Sequence, residues 1–496
     1  MKNITYPNNT VQIPAFKKGR CFFSISKSVC WFFVISFCVF QSQYSLAQPS
    51  QIKRTWHWYF GNRAGIDFSS GTALADTSGA LITSEGCASI SDTAGNLQFY
   101  SDGRTVWNRN HQIMPNGNGL LGGANGSSTQ QALIIPKPLS PNFYYLFTTD
   151  EAENSGANGM RYTVIDMNLD GGLGDIDVTQ KNVLLFAPCT EKLAAVNHCN
   201  DTNVWVLGHE VNNNHFKAYL LTSIGIDTNA VVSAVGHNMS TNGGMQGSMR
   251  FSPDGRKICF ASDSLLRRIE LADFENISGV VSNGITLQLG INFKFVICFS
   301  PSSERLYVGN DIYQYDISLN DTTLIQLSQS TIYNSTVTSA AIQHTCTGQL
   351  ISHHIGISSS DSTLDLIQNP DYIGSACNYL PNSIHLGTWS LGSYSLPNFN
   401  ESYFRSNNNS NCTTGISDLE FESLVNFQNP VRDWLEIRGN GIKEIALFDM
   451  LGHLCYKAAG DFISPLMINT DVLSNGIYIL QISSAKQNIK RKILKF

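Results

Sequence analysis

The stretch Phe251-Ser-Pro-Asp-Gly-Arg-Lys-Ile-Cys-Phe260 joins a tight turn to a short apolar strand. Pro and Gly on either side of an Asp favour a β-turn, because Pro fixes φ and Gly accepts a positive φ. A similar order of turn formers and apolar residues recurs at Phe299-Ser-Pro-Ser-Ser-Glu-Arg-Leu-Tyr-Val308 and at Ser91-Asp-Thr-Ala-Gly-Asn-Leu-Gln-Phe-Tyr100. A unit that returns in this way predicts a repeated β structure.

The spacing of this unit indicates the type of repeat. Six apolar positions that open its strand are separated by 46, 61, 54, 48 and 44 residues: Leu97, Phe143, Val204, Ile258, Leu306 and Leu350. Periods of roughly 40 to 50 residues are typical of β-propellers, whose blades bury their sheets against each other. We therefore predict an all-β chain with a propeller at 48–404. About seven blades fit the length, and six or eight remain open. We expect the strand at 56–60 to close the ring by completing the last blade near 384–391. The alternative is an array of two-sheet sandwiches.

The N-terminal end carries the features of an export signal. Residues 1–47 contain five basic side chains and no acidic one, and the apolar run at 29–40 precedes the small-residue site Ser45-Leu-Ala47. This order predicts a signal peptide at 1–47 that is removed before Gln48. The apolar run is shorter than the roughly 20 residues that a membrane-spanning helix needs, so we predict no transmembrane anchor in the mature protein.

The C-terminal end carries four motifs in order, at 429–437, 444–452, 473–480 and 490–496. They resemble the type A C-terminal sorting domain of the type IX secretion system of Bacteroidota. The resemblance implies a secreted or outer-surface location, with the secretion machinery as partner. Its sorting-signal residues would be Asn429, Pro430, Asp449, Gly452, Gly476, Tyr478 and Lys495. Short apolar strands and an Asn-Gly turn predict a small Ig-like β-sandwich at 424–496. The Asn- and Ser-rich segment 405–423 is typical of a flexible linker.

Charge and composition exclude one large class of partners. The chain has 32 basic and 38 acidic side chains, and five of the basic ones precede residue 48, which leaves a balance of −11 for the mature protein. Nucleic-acid binding needs clustered Lys and Arg, so we predict no nucleic-acid partner. Few charges together with 40 Gly favour an extracellular all-β protein.

Nine cysteines remain after residue 47. An exported protein meets an oxidising compartment, in which disulfides persist. Cys189 and Cys199 flank a short segment and form the first candidate pair, and Cys377 with Cys412 is a second. Cys259 lies in an apolar strand and is expected to pack as a small hydrophobic residue.

The segment 166–177 offers the one candidate metal site. Four oxygen-bearing side chains occupy positions 1, 3, 5 and 12 of a calcium loop: Asp166, Asn168, Asp170 and Asp177. Calcium takes six to eight oxygen ligands from a loop that turns at Gly, which Gly171 would supply. The flanks look like strands and not like the helices of an EF-hand. The alternative is therefore a β-connection in which these Asp side chains stabilise their own turns.

The front of the propeller region also resembles a known family. Trp58-Tyr-Phe-Gly61, Glu85-Gly-Cys-Ala-Ser-Ile-Ser-Asp92, Phe99-Tyr-Ser-Asp-Gly103 and Ser128-Thr-Gln130 resemble the N-terminal propellers of large secreted Bacteroidota proteins, of the gliding-motility-associated type. In many of those proteins PKD-type domains follow, whereas here the propeller runs into the sorting domain. The resemblance implies fold and location and defines no activity.

Other chemical groups do not assemble into a recognisable site. His353 and His354 are adjacent, and neighbours on a strand point to opposite faces. Four carboxylates lie near turns: Glu85, Asp92, Asp102 and Asp150. We expect Asp92 and Asp102 to cap turns. Four aromatic residues are candidates for a glycan-stacking face or for core packing: Trp56, Trp58, Tyr59 and Trp107.

These observations lead to three hypotheses of function. The first is a non-catalytic module that binds a protein or glycan outside the cell, since loops on a rigid scaffold carry recognition. The second is a glycan hydrolase or lyase that uses carboxylates at the channel mouth. The third is a structural component of a gliding or matrix surface. A cluster of two or three carboxylates with a His or Arg would favour the enzyme. The sequence predicts no cofactor other than the calcium considered above.

Overall fold

The computed structural model describes residues 51–406 and 426–496, apart from short segments at 241–243, 264–267, 290–296, 310, 320, 335–337, 356–361, 388–395, 428, 439–441, 450–452, 461, 463–464 and 485–487. The predicted signal peptide and nearly all of the predicted linker lie outside the described residues. Within the described residues, no helix combines the length and the hydrophobicity needed to cross a bilayer.

Seven antiparallel sheets follow one another in the described part of 51–406, and we number them as blades 1 to 7. Blade 1 contains β1 (His57–Phe60), β2 (Ala64–Asp67) and β3 (Leu74–Ala75). Blade 2 contains β4 (Ala88–Ser91), β5 (Leu97–Ser101), β6 (Thr105–Asn108) and β7 (Ile113–Asn118). Blade 3 contains β8 (Ala132–Pro136), β9 (Phe143–Thr148), β10 (Met160–Asp166), β11 (Asp175–Ile176) and β12 (Val183–Phe186).

The other four blades have four strands each. Blade 4 contains β13 (Cys189–Asn197), β14 (Val204–Glu210), β15 (His215–Leu221) and β16 (Val231–Ala234). Blade 5 contains β17 (Met249–Phe251), β18 (Lys257–Asp263), β19 (Arg268–Glu275) and β20 (Val280–Gln288). Blade 6 contains β21 (Ile297–Phe299), β22 (Arg305–Val308), β23 (Ile312–Asp316) and β24 (Ser330–Tyr333). Blade 7 contains β25 (Thr338–His344), β26 (Leu350–Ile355), β27 (Thr363–Ile367) and β28 (Tyr379–His385).

Short helices occur in the connections. The α-helix α1 (Thr322–Leu327) precedes β24. The 3-10 helices are Ile52–Thr55, Ala152–Asn154, Asp170–Gly172, Val178–Gln180, Gly374–Cys377 and Glu401–Phe404.

The arrangement is a seven-bladed β-propeller, as the repeat spacing predicts. The first strands of successive blades, from β1 to β25, lie side by side and line a central channel. The six aligned positions fall at the start of the second strand of blades 2 to 7, for example Leu97 in β5 and Leu350 in β26. The innermost strand β13 is buried on both faces along nearly its whole length, because another blade packs against each side.

The ring closes by packing, and the prediction that the strand at 56–60 completes the last blade is wrong. β1 pairs with β2 inside blade 1, and β28 pairs with β27 inside blade 7. One apolar cluster joins the two blades, in which Trp58 and Phe60 of blade 1 pack with Ile351 and Leu364 of blade 7. Because each blade already has its own innermost strand, no strand has to be exchanged.

Aromatic side chains fill the spaces between blades. Phe216 of blade 4 meets Phe260 of blade 5 with ring centroids 4.9 Å apart, in an edge-to-face arrangement. Trp58, Tyr59 and Trp107 are all buried. These residues therefore form core, and the alternative of a glycan-stacking face does not apply to them.

Residues 426–496 form two further sheets in their described part. The first contains β29 (Asn426–Phe427), β30 (Trp434–Arg438) and β33 (Leu466–Asn469), and the second contains β31 (Ile442–Asp449), β32 (Leu454–Ala459), β34 (Gly476–Ser484) and β35 (Asn488–Lys495). Leu435 and Ile468 of the first sheet share a single apolar cluster with Leu447, Leu480 and Ile493 of the second. The segment is therefore a small β-sandwich.

Candidate functional site: the plugged channel and its acidic mouth

The central channel is filled by the chain that leaves the last blade, residues 396–405, which we call the plug. The backbone N–H of Asn398 donates to Cys87 O at 2.8 Å, and its side-chain amide donates to Leu193 O at 3.0 Å. Asn400 forms a parallel bridge with Ala195 of β13. The plug thus runs alongside an innermost strand and contacts several blades at once.

Apolar and aromatic side chains hold the plug in place. Leu396, Phe399, Tyr403 and Phe404 are buried. The Phe399 ring lies 5.8 Å from that of Trp58 in β1. Burial of this much apolar surface anchors the segment inside the ring.

A buried charged cluster fixes the centre of the plug. Nη1 of Arg250 in β17 lies 2.7 Å from Oε1 of Glu401, and Nδ1 of His344 in β25 lies 3.4 Å from Oε2 of Glu401. Burial raises the pKa of Glu401, but the charges of Arg250 and His344 outweigh burial and hold the pKa below its ordinary value. Gln343 accepts a hydrogen bond from Arg250 at 3.0 Å and donates one to Pro397 O at 2.6 Å.

His344 completes this cluster. Burial lowers the pKa of its imidazole, but Cys298 and Glu401 raise it to about 9. The ring also stacks on Phe404, with centroids 4.8 Å apart. At neutral pH the cluster therefore joins two cations to one carboxylate, and both cations belong to blades while the carboxylate belongs to the plug.

Four glutamates gather at the channel end where the innermost strands begin, close to Thr129. We call this group the acidic mouth: Glu85, Glu151, Glu153 and Glu191. Oε2 of Glu191 accepts hydrogen bonds from the hydroxyl and the backbone N–H of Thr129, at 2.7 and 3.0 Å. Its Oε1 accepts from the N–H of Ala152 at 2.9 Å. Glu191 is fully buried, and these bonds join blade 4 to the connections of blade 3.

Glu85 is the most perturbed member of the acidic mouth. Burial raises its pKa to about 9, and the charges of Glu191, Glu153 and Glu151 add to this effect. A carboxyl with this pKa is protonated at pH 7. The Thr129 hydroxyl lies beside it and bridges it to Glu191.

The other two glutamates stabilise a neighbouring loop. Oε1 of Glu151 accepts from the side-chain amide of Asn125 at 2.7 Å, and its Oε2 accepts from the Asn125 N–H at 3.0 Å. Glu153 accepts from the Ser127 hydroxyl at 3.2 Å. Lys192, next to Glu191 in β13, donates from its buried ammonium to Gly244 O at 2.8 Å. Burial lowers the pKa of Lys192 to about 7, and the nearby charge of Glu191 opposes this effect. The mouth is thus rich in carboxyl groups, and hydrogen bonds hold those of Glu151, Glu153 and Glu191 in place.

The predicted calcium loop serves as turn structure. Oδ1 of Asp166 accepts from the N–H of Asn168 at 2.8 Å. Asp177 caps a 3-10 helix, with Oδ1 accepting from Thr179 N at 2.9 Å. Among the described residues the carboxylates of this segment do not converge into a metal-binding group. The alternative of self-capped turns fits Asp166 and Asp177, because both carboxylates already accept hydrogen bonds from turn N–H groups.

The predicted disulfide between Cys189 and Cys199 does not form, since Cys189 is a free and fully buried thiol at the start of β13. Cys377, the described member of the second candidate pair, is also a free thiol, and Cys412 lies outside the described residues. Cys259 packs in the core as expected. Sequence proximity suggested the first pair, but strand pairing directs Cys189 into the core.

The carboxylates singled out near turns have separate roles. Asp92 caps its turn by accepting from Ala94 N at 2.8 Å, and Asp102 accepts from Arg104 N at 3.0 Å, as expected. Asp150 accepts from Asn158 N at 2.7 Å. Of this group, Glu85 alone belongs to the acidic mouth. His353 is buried in β26.

The predicted sorting-signal residues that the structure describes lie in or next to the paired strands of the sandwich. Oδ1 of Asn429 accepts from Leu494 N at 3.0 Å, and Pro430 follows it through a cis peptide bond. Gly476 is in register with Lys495, and Tyr478 is in register with Asp449. Gly452 lies outside the described residues.

Parts of the chain are similar to known proteins. A family profile described as the secretion system C-terminal sorting domain matches residues 427–495. No curated protein matches the chain. Similar solved structures include a quinoprotein alcohol dehydrogenase-like protein from Bacteroides thetaiotaomicron, with 14% identity, 66% of this chain and 76% of that chain covered, and a TM-score of 0.37. A putative 6-phosphogluconolactonase from Bacteroides fragilis has 11% identity, 75% and 93% coverage, and a TM-score of 0.36. The Dos1 propeller has 9% identity, 54% and 70% coverage, and a TM-score of 0.31.

The molecule is therefore a β-propeller followed by a secretion sorting domain. The sorting domain marks it as a protein that the type IX secretion system exports to the cell surface or the surroundings.

Sequence reasoning did not find the plug, the Arg250–Glu401 pair or the role of Glu191. A signal for the plug does exist, because Phe399, Tyr403 and Phe404 are unusual in an Asn-rich stretch that precedes a linker. The charged partners carry no such local signal.

Proposed function

We propose that this exported propeller is a non-catalytic recognition module whose acidic mouth binds a cationic segment of an extracellular protein. The observation that carries the proposal is the gathering of Glu85, Glu151, Glu153 and Glu191 at one end of a channel that the chain itself fills. In this proposal a signal peptide at 1–47 is removed, and the linker at 405–423 separates the propeller from the sorting domain at 424–496.

The electrostatics of the acidic mouth favour a cation over a neutral ligand. Glu85 holds its proton because burial raises its pKa and the charges of three other glutamates add to this effect. A bound ammonium or guanidinium would lower the pKa of Glu85, since an opposite charge favours the ionised form. Binding at pH 7 to 8 should therefore release protons.

The arrangement of hydrogen bonds favours binding over catalysis. Glu191 and Glu151 accept bonds from backbone N–H groups, which orient their carboxylates and join loops. A rigid set of loops on a plugged ring suits recognition, because little entropy is lost on binding. The plug also fills the middle of the channel, so the mouth is a shallow site.

The test is calorimetric titration of the mature protein with tetralysine, in two buffers that differ in ionisation heat. We expect saturable binding that weakens with salt and releases up to one proton. Glu85→Gln should abolish the proton release, and Glu153→Gln should weaken binding by up to about fivefold, as an exposed charge pair does. Glu304→Gln is the matched control, because Glu304 is 58% exposed on blade 6. Binding that none of the acidic-mouth variants alters would refute the proposal.

A second candidate is a glycan hydrolase or lyase. The raised pKa of Glu85 favours it, because a general acid has to be protonated at working pH. Breakdown of a glycan by the mature protein, lost in Glu85→Gln, would establish the enzyme in place of the binding module.

A further inference from the structure

A cavity of about 370 Å³ opens at the opposite end of the channel, where the plug leaves the ring. The 3-10 helix Ile52–Thr55, the β8–β9 turn at 136–141 and the plug residues Asn400 and Tyr403 form its walls. A volume of this size is in the range of small-ligand sites, roughly 300 to 1,000 Å³.

Arg54 is the main charged group of this cavity. The side chain is buried, with 8% of its surface exposed. Its Nε donates to Gln51 Oε1 at 2.7 Å, and its Nη1 lies 3.5 Å from Ser91 O. Both acceptors are uncharged, and among the described residues no carboxylate forms an ion pair with Arg54. A buried guanidinium without a counter-ion is costly, and a bound anion would remove that cost.

The remaining charges around the cavity add to this positive field. Lys137 lines the cavity from the β8–β9 turn. The lining carboxylate is Asp201, which lies 3.2 Å from Nη2 of Arg405. Asp201 is thus already neutralised, so the cavity keeps a net positive charge.

Neutral polar groups surround the two cations. Four residues with neutral polar side chains line the cavity: Gln51, Asn197, Thr202 and Asn400. Amides and hydroxyls are the groups that hydrogen-bond sugar hydroxyls, whereas an acidic peptide side chain would use the cations alone.

We propose that this cavity binds the carboxylate of a sugar acid, such as the uronic acid end of an acidic oligosaccharide, with Arg54 as the bidentate anchor and Lys137 as a second cation at the rim. The site is distinct from the acidic mouth, has the opposite charge and lies at the other end of the channel. Its existence does not depend on the proposed function of the mouth.

The test is titration of the mature protein with glucuronate, with glucose as the neutral counterpart and acetate as the bare carboxylate. We expect saturable binding of glucuronate, at least tenfold weaker binding of acetate, and no binding of glucose. Arg54→Gln should weaken glucuronate binding at least tenfold, and Lys137→Gln should weaken it severalfold. Arg256→Gln removes one positive charge from a side chain that is 73% exposed on blade 5 and is the control that should bind normally.

Several results would overturn the proposal. If glucose bound as tightly as glucuronate, the carboxylate would not be recognised. If acetate bound as tightly as glucuronate, the sugar ring would not be recognised. Unchanged glucuronate binding in Arg54→Gln with an unchanged melting temperature would also refute it. Lys137→Gln, at a partly exposed residue, decides the case if Arg54→Gln fails to fold. Tetralysine binding is measured in the same preparation. If tetralysine binds and glucuronate does not, the proposal for the cavity fails while the proposal for the acidic mouth stands.

Discussion

Removing the charge of Glu401 tests whether the plug holds the propeller together. Glu401→Gln keeps the size of the side chain but leaves Arg250 and the protonated His344 without their carboxylate. All three side chains are at least 92% buried. Breaking one partner of a buried ion pair costs about 3 to 5 kcal/mol, because the remaining charge cannot be solvated.

This free-energy cost can be converted into a decrease in melting temperature. About 350 propeller residues at roughly 2.1 cal/mol/K each give an unfolding entropy near 0.7 kcal/mol/K. A loss of about 4 kcal/mol should therefore lower the melting temperature by about 5 to 6 °C. Differential scanning calorimetry of the mature protein measures this shift directly.

Two further variants make the result interpretable. Asp273→Asn removes an exposed partner of Lys257, at 3.0 Å with side chains 44% and 33% exposed, and should cost less than about 1 kcal/mol. Arg250→Met combined with Glu401→Leu replaces the pair by apolar groups and should recover much of the loss. A shift for Glu401→Gln no larger than that for Asp273→Asn would refute the idea that the plug is held by this cluster.

Three other predictions concern titration and turn capping. The folded pKa of His344 is about 9, above its ordinary value near 6.5. The stability that its charge contributes is therefore complete below about pH 6.5 and is lost as pH rises through 9, so denaturant unfolding of wild type and His344→Gln should converge at high pH. Tetralysine binding by the wild type should strengthen between pH 7 and 9, because Glu85 ionises in that range. The same pH dependence of affinity in wild type and Glu85→Gln would contradict this. Asp177→Ala should lower the free energy of unfolding by about 1 kcal/mol, because the cap of a 3-10 helix is lost. Thermal unfolding should show the same loss in calcium and in chelator if Asp177 acts as a cap, and a larger loss in calcium if it binds the metal.

Much of the fold could be predicted from the sequence. The turn-and-strand unit is local, so its recurrence at 251–260 and 299–308 identified blades before their neighbours were known. Ring closure was predicted wrongly, because an apolar strand such as 56–60 looks the same whether it joins the first blade or the last. The disulfide prediction rested on closeness in sequence, and the burial of Cys189 inside β13 overrides it.

The site was mostly hidden from sequence reasoning. Glu85 was a candidate as a carboxylate near a turn, but its raised pKa comes first from burial in the folded ring and then from the charge of Glu191, which lies in another blade. Arg54 lies in a short 3-10 helix and looks like any surface cation until the plug and the β8–β9 turn enclose it.

The sequence by itself identified the C-terminal sorting domain and a propeller of about seven blades, because both depend on short motifs whose residues are close together in the chain. Tertiary structure decided the plug, the acidic mouth and the cationic cavity. Arg250 and Glu401 are 151 residues apart, and Asn398 and Leu193 are 205 apart. Such pairs meet only because a closed ring brings the innermost strands of all blades to one axis, and no local pattern encodes which side chains will face each other there.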